Sequence, residues 1–240
     1  MLIQGGAHDV TVTNSKLGGD VMSPRYSVDS VLTFVGNNME GKNITLQHPV
    51  GTDAGKVVIE GNYLNNITLN NSSELVISDN RANSSNGRAG IFRIDTCENI
   101  TMSNNRLNGS ALFGDTVINI LSNEFYWSCG LGCKLGGYIT GVPNYWDGLQ
   151  NLHIRNSYNF NITGNSCYAY SGSSGSFGSG IVITNSSLGN VSYDTIHESF
   201  TGWDYVHPSE GAYWKNTASI GVFSSIDINI YDNILDLSLI

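Results

Sequence analysis

The chain has 240 residues, enough for one sizeable core or two small ones. A net charge of −9 argues against nucleic acid, which wants a basic stripe. It also disfavours a strongly anionic ligand unless a cation bridges. Only 13% of residues are charged, and Gly, Asn and Ser replace the usual Lys, Glu and Leu. Few good helix formers remain, and no 12-residue run shows a helical period, so strands and turns are expected throughout.

MLIQGGAHDV opens without a basic start or an apolar core, and so reads as lacking a signal peptide. No stretch reaches transmembrane length, so membrane insertion is not expected. From there one phrase recurs. It alternates polar and apolar residues and closes on a small or polar pair. Its copies are DVTVTNS (9–15), VLTFVGN (31–37), KVVIEGN (56–62), ELVISDN (74–80), NITMSNN (99–105), VINILSN (117–123), NFNITGN (159–165), NVSYDTI (190–196) and DINIYDN (227–233). The first five steps between copies cluster near 22 residues, and the last three are stretched to 42, 31 and 37. A second strand phrase precedes several copies: GIFRID (90–95), NLHIRN (151–156), SGIVIT (179–184) and IGVFSS (220–225). The unit therefore holds at least two short strands joined by tight turns, then a return segment.

One such unit cannot bury its own apolar residues. Stacked on its neighbour at about 4.8 Å, it can, so the repeat predicts a solenoid of parallel sheets. Ile100, Met102, Ile118, Ile120, Phe160 and Ile162 are expected to stack inward. The closing Asn (Asn37, Asn62, Asn80, Asn105, Asn123, Asn165, Asn233) is expected at a turn, in left-handed geometry, with its amide laddered to the next copy.

GIFRIDTCENITMSNNRL, SGIVITNSSLGNVSYDTI and IGVFSSIDINIYDNIL resemble the right-handed parallel β-helix superfamily, the pectate-lyase-like fold. The resemblance covers nearly the whole chain. It implies an all-β, right-handed parallel β-helix of about ten coils in a single domain, residues 1–240. Neither end shows a capping unit, so the sequence reads as part of a longer chain or as one capped by a partner. The superfamily includes polysaccharide lyases and hydrolases, uronan epimerases and the tailspike depolymerases of bacteriophages. By analogy it implies a homotrimer and an extracellular or virion-surface location. The paired-Asp, Gly-His-Gly and Arg-x-Lys signatures of the polygalacturonase branch are missing, as is the tyrosine and double-Asp motif of the epimerases. No family catalytic residue can be carried over.

The stretched steps hold residues 124–150, 166–178 and 197–218. Leaving successive coils at one register, they should form three long loops on one face and line a groove. All four tryptophans and seven of the twelve tyrosines fall in them. Aromatic rings stack on the C–H faces of sugars, while acids and amides bond their hydroxyls. The candidate substrate-binding residues are Trp127, Tyr145, Trp146, Tyr170, Trp203, Tyr205, Trp214 and His207. Glycoside hydrolysis needs two carboxyl groups, one protonated and one ionised. The candidates are Asp147 in NYWDG, Asp204 in GWDYVH and Glu198 in HES. Asp147 and Asp204 lie two or three coils apart, roughly 10 to 15 Å at the scaffold. Elimination would instead draw on Lys134, Arg155 or Lys215.

The function expected is thus an extracellular carbohydrate-active protein that degrades a polysaccharide, by hydrolysis before elimination. The same aromatics also suit a non-catalytic glycan-binding shaft of a virion fibre or cell-surface protein, the small core of the loops themselves, or an oligomer interface. No cofactor is expected, and no Asp-x-Asp-x-Asp calcium loop is present. Cys129 and Cys133 fit a local disulfide, free thiols or a partial metal site. Ten Asn-x-Ser/Thr sequons, among them Asn43, Asn66, Asn99, Asn161 and Asn190, arise largely from the repeated phrase itself.

Overall fold

The copies of the phrase put apolar residues at alternate positions, and each forms or adjoins a short strand. In the computed structural model these strands lie parallel and in sequence order. The structure describes residues 1–3, 7–23, 30–47, 55–82, 91–107, 109–126, 149–170, 178–200 and 220–239. Among them there is no helix, and the strands form three parallel sheets.

The first sheet has nine strands: Val10–Thr13, Val31–Val35, Lys56–Glu60, Glu74–Ser78, Glu98–Ser103, Thr116–Leu121, Tyr158–Thr163, Ser187–Ser192 and Ile226–Tyr231. The second has eight: Val21–Ser23, Ile44–Gln47, Ile67–Asn70, Ile91–Asp95, Gly109–Phe113, Leu149–Arg155, Gly178–Thr184 and Ile220–Phe223. The return segment is itself a strand in most coils. It builds a third sheet from Tyr63–Leu64, Arg81–Ala82, Arg106–Leu107, Glu124–Tyr126, Ser166–Tyr170, Thr195–Phe200 and Ile234–Leu239. The chain visits the second, first and third sheets in turn, then begins the next coil. This is the arrangement of a parallel β-solenoid.

Strand alternation fills its interior. Ile100, Met102, Ile118, Ile120, Phe160 and Ile162 are all buried, in register with Leu75 and Ile77 before them. Phe34, Phe92, Phe125 and Phe160 are fully enclosed. Each large side chain so buried contributes about 1.5–3 kcal/mol of transfer free energy.

The corner between the first and third sheets carries the expected ladder, with one difference. The rung Asn is not the left-handed residue; its predecessor is. Asn14, Asp79, Asn104, Ser122, Tyr193 and Asp232 have φ between 47° and 56°, and glycine fills the same slot at Gly36, Gly61 and Gly164. That leaves the buried rung free to be selected for its amide. Each rung's backbone N–H donates to the next rung's side-chain oxygen, as from Asn37 to Asn62 (2.9 Å) and from Asn105 to Asn123 (2.9 Å). From Asn37 to Asn165 each asparagine rung's Nδ2 also donates to that oxygen and to a backbone carbonyl three residues before the preceding rung, such as Asn62 to Phe34 and Asn165 to Ile120.

The eighth copy of the phrase is displaced by two residues. Asn190 pairs with Asn161 and Val191 with Ile162, so the rung is Asp194 and not Ile196. The steps around it are 29 and 39 residues instead of 31 and 37.

A second ladder, which the phrase alone does not announce, runs along the corner between the second and first sheets. The N–H of Ser72 donates to Cys97 Sγ, Cys97 to Asp115 Oδ1 (2.6 Å), Asp115 to Ser157 Oγ, Ser157 to Ser186 Oγ and Ser186 to Ser225 Oγ. Cys97 is a structural rung, and Cys167 is a core residue of the third sheet; both are free and buried. Burial pushes the Cys97 thiol up to about 12 and that of Cys167 well above its ordinary value. Neither should react with iodoacetamide in the native protein at pH 8, and both should react in urea; peptide mapping by mass spectrometry checks this. Cys129 and Cys133 lie outside the described residues.

Candidate functional site

The third corner, where the third sheet hands over to the second, holds the two longest connecting segments of the chain. Segments 127–148, 171–177 and 201–219 join consecutive coils there. They follow Glu124–Tyr126, Ser166–Tyr170 and Thr195–Phe200, which pair in register, and precede Leu149–Arg155, Gly178–Thr184 and Ile220–Phe223, which also pair in register. Both ends of all three segments are thus fixed side by side. The stretched intervals are shorter than the sequence suggests, because residues 124–126, 166–170 and 197–200 belong to the third sheet and 149–150 and 178 to the second.

Most of the candidate site residues lie outside the described residues: Asp147, Asp204, Trp127, Tyr145, Trp146, Trp203, Tyr205, Trp214 and His207, with Lys134 and Lys215. Glu198 and Tyr170 do not sit in loops. Glu198 shares a line of the third sheet with Ala169 and Leu237, and Tyr170 one with Ser199 and Ser238.

What the structure describes is two side-chain groups flanking this corner. On the third sheet, Tyr168, His197 and Asp236 fall on one register line across three strands. The rings of Tyr168 and His197 stack with centroids 4.7 Å apart and planes 13° apart. His197 Nδ1 lies 3.2 Å from Asp236 Oδ2. An imidazole held at Nδ1 by a carboxylate keeps its tautomer and presents Nε2 for hydrogen bonding or proton transfer. Two strands earlier, Glu124 faces Arg106 at 3.7 Å with both side chains exposed, a pairing that contributes little to stability.

On the second sheet, Leu152 and Ile154 point into the core, so strand alternation turns His153 outward. His153 is nonetheless 4% exposed, and its register neighbour Val182 is 2% exposed. His153 Nε2 lies 3.3 Å from Thr184 Oγ1. Burial, helped by the positive charge of Arg155, pushes its imidazole down to about 4, so it is neutral at physiological pH. Arg155, two residues along the same face, has a buried Nε–H with no acceptor among the described residues. A neutral imidazole, a hydroxyl and a guanidinium with spare donor capacity can together bind hydroxyls or a carboxylate.

Sequence reasoning named Arg155 but passed over His153, Thr184 and Asp236. The signal for His153 was present in NLHIRN, where a titratable ring takes the outward slot of a strand phrase. Asp236 was hidden because the third-sheet strand had not been recognised as a strand. Among the described residues no group of three or more His, Cys, Asp or Glu side chains is placed to hold a metal ion. Compared with protein-family models, curated proteins and solved structures, the chain matches none.

Proposed function

We propose that this protein is an extracellular or virion-surface carbohydrate-active protein of the right-handed, pectate-lyase-like β-helix type, with about ten coils. In this reading it degrades a polysaccharide in a groove walled by three long loops, by hydrolysis before elimination. The observation that carries the reading is the shared corner. Three consecutive coils there receive insertions that hold every tryptophan of the chain, beside Asp147, Glu198 and Asp204. Aromatic residues on loops anchored to a rigid frame are a common way to build a ligand groove. Asp147, Glu198 and Asp204 supply the carboxyl groups. Trp127, Tyr145, Trp146, Tyr170, Trp203, Tyr205, Trp214 and His207 supply the sugar contacts. A homotrimer would set three such grooves around one axis.

Elimination is the competing chemistry. The observation that favours it is Arg155 with its unengaged Nε–H beside neutral His153. An end-point digest against bacterial and plant polysaccharides separates the two. New reducing ends without ultraviolet absorbance indicate hydrolysis. Joint replacement of Asp147, Asp204 and Glu198 by Ala should then lower kcat at least about 1000-fold, since general acid–base catalysis alone contributes 100- to 10,000-fold. Full activity in that variant removes these acids from the mechanism. Reducing ends with absorbance indicate elimination, and the loss should follow Arg155→Ala. Binding by calorimetry without cleavage makes the protein a glycan-binding shaft, and no binding at all overturns both readings.

A further inference from the structure

The rung at position 194 is chemically odd. It is aspartate where seven of the nine rungs are asparagine, and it is fully buried. Its Oδ1 does what a rung oxygen must, accepting from Asn165 N (2.7 Å) and Asn165 Nδ2 (2.8 Å). Its own N–H donates to Asn233 Oδ1 (2.9 Å). The defect is at the other oxygen. In every asparagine rung that atom is an Nδ2 donating to a carbonyl three residues before the preceding rung: Val12 for Asn37, Met102 for Asn123, Val191 for Asn233. The corresponding carbonyl for Asp194 is that of Ile162. An ionised Asp194 has no proton to give it, and Oδ2 is buried without a hydrogen-bond partner among the described residues. A protonated Asp194 has one, and becomes a steric and hydrogen-bonding copy of asparagine.

We propose that Asp194 is a pH-sensitive rung, which completes the ladder when protonated and loosens the coil that follows it when ionised. The neighbours leave the decision to the proton. Asn165 and Asn233 stack on either side and are uncharged. In the third sheet the Cys167 thiol interacts with Asp194 and is kept protonated by burial. Tyr193, at the outer side of the turn, is engaged by Asp232. Burial raises the Asp194 carboxyl to about 6, against the lowering effect of the Asn165 donors and of the Ser192 backbone. A folded-state value above the unfolded one makes the native state hold its proton longer. The stabilisation is complete below about pH 4, is lost as pH rises, and is gone above about 6. The strand that starts at Thr195 carries His197 and Glu198, so the rung governs how firmly this edge of the candidate site is held.

The test is urea unfolding of the full chain and of Asp194→Asn at pH 4 and pH 7. The ratio of the two folding constants should move about 100-fold in favour of the variant between these pH values. Protection of the Thr195–Phe200 amides against hydrogen exchange, corrected for intrinsic rates, should fall with pH in the parent and stay level in Asp194→Asn. Parallel pH profiles, or a variant that loses ground at pH 7, overturn the proposal. If Asp194→Asn does not fold, carboxyl carbon NMR of the parent decides. A midpoint near 6 supports the rung, and one in the ordinary carboxylate range near 4 overturns it.

Discussion

Replacing Asn105 by Leu is expected to destabilise the protein by about 4 kcal/mol, and to do so without any change in apolar packing volume that would account for it. Asn105 stands mid-ladder and is 1% exposed. Its Oδ1 accepts from both Asn80 N and Asn80 Nδ2 at 3.0 Å, and its Nδ2 donates to Ile77 O (2.8 Å) and Asn123 Oδ1 (2.9 Å). Leucine keeps the volume and deletes all four bonds. The Asn80 N–H and the Ile77 carbonyl stay buried, and each orphaned group costs roughly 1–3 kcal/mol. Thr101→Val, at an outward position of the preceding strand, should change stability by less than about 0.5 kcal/mol. Urea unfolding of the two variants side by side is the check, and a small loss in Asn105→Leu would show that solvent reaches the ladder.

The second large effect is expected at Gly189. Its register neighbours Ile118, Phe160 and Ile228 are all larger apolar residues of the same inward column. A Cβ at Gly189 would come within 2.0 Å of the Phe160 ring, so the glycine is the space into which that ring packs. Gly189→Leu should cost about 3 kcal/mol or more, since overpacking forces a buried ring off its rotamer. Phe160→Ala opens a cavity instead and should cost about 3–5 kcal/mol. Combining Gly189→Leu with Phe160→Ala should recover at least about 2 kcal/mol of the summed losses, a coupling expected only between residues in contact. Additive losses would mean that the two do not share one space.

These two positions also explain how much could be read beforehand. Eight of nine first-sheet phrases were framed correctly because apolar residues at every second position declare their face. The exception is the eighth copy, at Gly189, where the inward slot is empty because Phe160 fills it from the preceding coil; a volume shared across 29 residues of sequence leaves no local trace. The Asn ladder was legible as a repeat, but its left-handed residue was misplaced by one, since asparagine serves both as a turn former and as a buried amide. The corner that bears the candidate site was legible from interrupted spacing. The sequence could not show His153 buried on an outward face, because that depends on what covers the strand. Tyr168, His197 and Asp236 meet only through strands 29 and 39 residues apart, in a sheet the phrase did not reveal.

The contrast between the corners has an evolutionary consequence. At the ladder corner every rung must match its neighbours above and below, so insertion or deletion is punished at once. At the corner between the third and second sheets, one residue separates Leu107 from Gly109 and residues 127–148 separate Tyr126 from Leu149, while the strands on both sides keep their pairing. The frame therefore separates the part of the chain that inheritance must conserve from the part it can rewrite. New surface chemistry can be acquired by splicing sequence into one edge of the molecule, with no fresh solution required for the core.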